Sequence, residues 1–85
     1  MIEDLLRERE KSHGDYMEQS QTSQMLFNDL MASKHGKYMP AYQREALHMI
    51  CVKMSRIVNG DPNNTDHWKD LAGYATLAVN CLDRE

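Results

Sequence analysis

Asp66 and Asp70 stand four residues apart at the start of the helical pattern DHWKDLAGYATLA, and on a helix that spacing points both carboxylates the same way. Two carboxylates so placed can hold a divalent metal or meet a cationic partner. They also offset the positive end of the helix dipole, which needs no ligand. A second set lies upstream: at about 100° per residue, Glu45, Lys53 and Arg56 share a helix face with Met49 and Val52. In a phosphate-handling site, carboxylates would hold metal and position water while Lys53 and Arg56 met the phosphate charge. The same residues can instead form interhelical salt bridges at an interface. Tyr74 lies on the Asp66/Asp70 face, where its ring could stack on a base, whereas Trp68 reads as core.

Other signals are weaker. Local capping accounts for Gly14 and Asp15 of the His13-Gly14-Asp15 run, which could also approach the acidic face as a ligand-contacting loop. His35, His48 and His67 lack zinc-ligand spacing with Cys or one another. There is no Gly-rich phosphate loop and no nucleophile beside a base.

The chain has 85 residues, room for one core, so residues 1–85 are expected to form a single domain. With a net charge of −3 and no basic run, it lacks the clustered Lys and Arg on which sequence-independent nucleic-acid binding rests. No apolar run reaches the roughly 18–20 residues of a membrane span, and the N-terminus does not read as a signal peptide. A cytoplasmic location is expected. Cys51 and Cys81 fall in helical patterns without CxxC spacing and read as reduced, buried hydrophobes. A disulfide between them stays open, because sequence does not give their separation.

These residues need helices to position them, and the punctuation supplies four, near 2–11, 15–33, 40–59 and 65–83. Gly14 suits a left-handed cap, Asp15 and Glu18 resemble a capping box, Pro40 suits a first helical position, and Asn59-Gly60-Asp61-Pro62 is turn chemistry. Thr65 or Asp66 is expected to cap the last helix. No segment alternates with period two. The expected fold is all-α and bundle-like, with a short first helix and an antiparallel central hairpin of the third and fourth helices.

The core stripe of the third helix is expected to be Leu47, Ile50, Cys51, Met54, Ile57 and Val58, and that of the fourth Trp68, Leu71, Ala72, Ala75, Val79 and Leu82. Met49 and Val52 on the third helix, and Gly73, Leu77 and Cys81 on the fourth, give each a second apolar face. One small chain does not easily cover two faces of two helices. The expectation is a homo-oligomer, a dimer or higher even number, formed through those second faces, with Gly73 allowing close approach.

The blocks RE…HGDY, REAL-x-MI-x-x-K-x-x-RI-x-NGDP and D-x-W-x-D-x-AGYA-x-LA resemble a group of small uncharacterised phage and prophage proteins, over about Leu6 to Leu82. Those proteins are distantly similar to the all-α nucleoside triphosphate pyrophosphohydrolases of the MazG and dimeric dUTPase type. The resemblance implies an oligomeric MazG-like helical chain that binds a nucleoside triphosphate and Mg²⁺ between acidic residues of two central helices. On this chain the first acidic motif matches at Glu45, with His48 where a further Glu would fall. The second matches at Asp70, with His67 at its Glu position and Asp66 one residue earlier. The implied roles are Glu45 and Asp70 in catalysis, Glu45, Asp66 and Asp70 as metal ligands, and Lys53, Arg56 and Tyr74 in substrate binding. The alternative is a non-catalytic oligomeric phage accessory protein that binds a host or phage protein.

Overall fold

The computed structural model describes all 85 residues, which form four α-helices and no strand. Helix α1 (Ile2–His13) carries Glu3 and Asp4 in its first turn and Lys11 in its last, both favourable to the helix dipole. Gly14 ends it at a φ of 85°, its N–H bonded to the Glu10 carbonyl at 2.7 Å. Asp15 then caps α2 (Tyr16–Met31) by accepting the Glu18 N–H at 3.1 Å. That is one half of the expected capping box. After α2 the chain makes a 3-10 turn over Gly36–Tyr38, and Pro40 precedes α3 (Ala41–Asn59). Helix α4 spans Thr65–Leu82, and its cap is Asn64, whose side chain accepts the Asp66 N–H at 3.0 Å, not Thr65 or Asp66.

Helix α3 is central, packing chiefly against α4 on one side and α2 on another, with α1 more lightly attached. The α3/α4 pair is antiparallel, as expected: Lys53 late in α3 meets Asp70 early in α4, and Tyr42 at the start of α3 reaches Glu85 beyond the end of α4. Leu47, Ile50 and Met54 are half-buried and Cys51 and Ile57 buried, but Val58 is 72 % exposed, past the edge of the α3 stripe. Against α2 the packing is polar. Buried Gln19 donates to Ser55 Oγ at 3.1 Å, and Asn59 Nδ2 donates to Thr22 Oγ1 at 3.1 Å and to the Ser55 carbonyl at 2.9 Å.

The expected core stripe of α4 is corrected. Leu71 is half-buried, but Trp68, Ala72, Ala75, Val79 and Leu82 face solvent. The packed face is His67, Leu71, Tyr74, Ala78 and Cys81, turned by about one residue, or 100°, from the hydropathy stripe. Two polar anchors match this rotation: His67 bonds to the Ser12 carbonyl and Asp70 to Lys53. Trp68 lies over the linker instead, donating its Nε1–H to the Pro62 carbonyl at 2.8 Å. A Cβ on Gly73 would meet nothing, so Gly73 mediates no close approach within the chain. Both cysteines are free thiols, and burial pushes the Cys51 thiol pKa up. No helix is long and apolar enough to cross a membrane.

Candidate functional site: a polar cleft between α1, α3 and α4

Two glycine turns cross where α1 ends and α3 gives way to the linker. A Cβ on Gly14 would collide with the Asn59 carbonyl, and one on Gly60 with the Ser12 carbonyl, so the two strands of backbone touch. The Ser12 carbonyl accepts the Asp61 N–H at 2.9 Å and lies 2.7 Å from Nε2 of buried His67. Since a carbonyl only accepts, His67 must carry its proton on Nε2 to make this bond. The clasp also brings the His13 ring to a centroid distance of 5.1 Å from that of His67.

Beside the clasp opens a cleft of about 610 Å³, lined by Glu8, Arg9 and His13 of α1, Arg56 of α3, and Asp66, His67 and Asp70 of α4. Lys53 lies under its edge, buried, with Nζ 3.0 Å from Asp70 Oδ2. Arg56 has no ion pair, and its Nε is buried without a hydrogen-bond partner. Burial, then the charges of Arg56, His67, Lys53 and Arg9, push the His13 pKa down to about 4. His13 is therefore neutral at pH 7, beside the guanidiniums of Arg9 and Arg56. Arg56 offers an anion a partner, because its Nε is buried without a hydrogen bond and its guanidinium makes no ion pair.

The structure thus brings Lys53, Arg56, Asp66 and Asp70 to one place. Glu45 is elsewhere, in a separate depression of about 430 Å³ with Gln24, Phe27, Arg44 and His48. Its distance follows from helix geometry: Glu45 precedes Lys53, which marks the level of Asp70, by eight residues, or about 12 Å along the axis. Tyr74 is half-buried one turn beyond Asp70, beside Gly73 and Leu77 rather than over the cleft.

No three His, Cys, Asp or Glu side chains are grouped to hold a metal ion. Within one chain the donors implied for Mg²⁺ do not fit, since Glu45 is remote and Asp70 is engaged by Lys53. Sequence reasoning missed Arg9 and His67 and read the His13 segment chiefly as a cap. Arg9 sits in the charged run RERE, where nothing distinguishes it from its neighbours. His67 shows its role only through a bond to a carbonyl 55 residues away.

No curated protein and no solved structure matches the chain. A family model described as a domain of unknown function, DUF6378, matches residues 3–82, the whole helical region but its first residue. The chain therefore belongs to the DUF6378 family.

Proposed function

We propose that the protein is a MazG-like, phage-type nucleotide-binding protein that takes the phosphates of a nucleoside triphosphate in the cleft between α1, α3 and α4. The observation that carries this reading is Arg56, a half-buried guanidinium without an ion pair, standing beside the cleft edge where Lys53 meets Asp70. Asp66 and Asp70 on the rim suit hydrogen bonds from sugar hydroxyls or a base amino group. Pyrophosphate release is the activity that the resemblance implies. The reading here is binding, because the carboxylates of one chain do not assemble a metal site. Calorimetry with a panel of ribo- and deoxynucleoside triphosphates, run beside a pyrophosphate assay with Mg²⁺ or Mn²⁺, tests it. Binding weakened at least tenfold by Arg56→Met with the helical signal intact is the expected result. No binding of any triphosphate at millimolar concentration overturns it.

A homodimer accompanies this reading, supported by surface that the chain leaves uncovered. The radius of gyration is 14.3 Å, against about 12 Å for a compact chain of this length. The accessible surface is 6214 Å², against about 5,200 Å² for a monomer of this mass. The excess, roughly 1,000 Å², exceeds the ~800 Å² per partner of a standard interface. Trp68, Ala72, Ala75, Val79 and Leu82 recur at alternating spacings of four and three, the pattern of a helix–helix seam, and all are exposed. Of the second faces expected from the sequence, Met49, Val52 and Cys81 are half-buried within the chain and Gly73 and Leu77 are exposed, while the outer face of α4 is bare as well.

A further inference from the structure

The 610 Å³ cleft adjoins a second depression of about 400 Å³ in the elbow between α1 and α2. Three residues line both: Arg9, His13 and Arg56. Arg9 and His13 are one turn apart on the same face of α1. Arg56 faces them from α3, close enough for its charge to be the strongest electrostatic influence on the His13 ring.

Neither arginine has a counter-ion. The chain's ion pairs are Arg7 with Asp4 and Lys53 with Asp70, so Arg9 and Arg56 have no carboxylate within 4.0 Å. Carboxylates are near: Glu8, Asp66 and Asp70 line the first depression and Glu10 and Asp15 the second. Asp70 is engaged by Lys53 and Asp15 caps α2 through the Glu18 N–H, while Glu8, Glu10 and Asp66 make no ion pair with either arginine. No hydrogen bond is made by either ring nitrogen of His13. Two unpaired guanidinium forks and a free imidazole thus converge on one saddle, with open space on both sides. Guanidinium forks match the paired oxygens of a phosphoryl group, and a neutral imidazole can add an N–H donor.

We infer that Arg9, His13 and Arg56 form a binding site for a phosphoryl dianion, either inorganic phosphate or the terminal phosphate of a phosphomonoester. The site lies in the cleft of the nucleotide reading and rests on it for the larger ligand, but its own chemistry needs the phosphoryl group alone. The space on either side of the saddle leaves room for the substituent of an ester. A bound dianion offsets the charges of Arg9, Lys53, Arg56 and His67 at His13, so the imidazole takes up a proton more readily as the site fills. His13 is therefore a reporter built into the site.

The test follows the His13 imidazole by NMR while the full-length protein is titrated with inorganic phosphate, adenosine 5′-monophosphate or adenosine, at fixed ionic strength in chloride. Saturable shifts with phosphate and the monophosphate but not adenosine, with the His13 pKa raised by at least one unit, are expected. Arg9→Met and Arg56→Met should each weaken phosphate binding at least tenfold, and Arg7→Met should leave it unchanged. Arg9→Lys and Arg56→Lys, which keep the charge but lose the fork, should weaken it less and serve if a Met variant fails to fold. No saturable response of His13 to phosphate, or a response equal in Arg9→Met and wild type, overturns the site. Triphosphate binding indifferent to Arg9→Met also overturns the site while leaving the nucleotide reading intact. Phosphate binding at His13 with no triphosphate binding upholds the site and rejects the nucleotide reading.

Discussion

The Lys53 ammonium lies 3.0 Å from the Asp70 carboxylate, tying the second half of α3 to the second turn of α4. Lys53 is buried but the Asp70 side chain is half exposed, so the two ends of the pair are unequal. Removing Asp70 strands a buried charge, whereas removing Lys53 frees a solvated one. Asp70→Asn should therefore lower unfolding free energy by about 1–2 kcal/mol in urea titrations. Lys53→Met, which keeps the apolar stem, should change it by less than about 1 kcal/mol. Equal losses in the two variants would contradict this account.

The glycines separate in a similar way. Gly14→Ala places a Cβ at positive φ and against the Asn59 carbonyl, and should cost at least about 2 kcal/mol. Gly73→Ala enters open space within a helix and should stabilise by about 0.5–1 kcal/mol. Thermal unfolding monitored by circular dichroism distinguishes the two.

His13 gives stability a dependence on acid. Its pKa in the folded chain is about 4, below the ordinary 6.5, so between those values the unfolded chain binds the proton and the folded one does not. Stability is full above about pH 6.5, falls as pH drops towards 4, and levels off below that for this group, with a total on the order of 2 kcal/mol. Burial sets the shift first, then the charges of Arg56, His67, Lys53 and Arg9, so Arg56→Met should reduce the slope and His13→Gln should remove it. Urea midpoints measured across pH 4–7 check this, and an unchanged slope in His13→Gln would count against it.

The bare stripe on α4 gives a prediction about mass. Wild-type protein at high micromolar concentration should sediment as a dimer, and Val79→Lys, which puts a charge in the middle of the stripe, should sediment as a monomer with its helical signal intact. A wild-type monomer under these conditions would remove the dimer from the proposal.

Some of this protein is local chemistry and could be read without a fold. Gly14 takes its positive φ and Asp15 caps α2 within a few residues of sequence, so the four helices were legible from residue type, with ends displaced by up to two residues and the α4 cap moved to Asn64. The short Gly-Asp-Pro linker likewise determined the antiparallel hairpin, because it leaves α4 little choice but to return along α3. The rotation of α4 was not legible. Hydropathy ranks Trp68, Val79 and Leu82 above His67 and Tyr74, yet the polar anchors to Ser12 and Lys53 are paired on the other face. Separation along α3 likewise kept Glu45 from the acidic pair, although a shared helix face suggested a common site. Arg9, His13 and Arg56 come together only because the turns at Gly14 and Gly60 cross at backbone contact, and no pattern along the chain records a contact between segments more than forty residues apart.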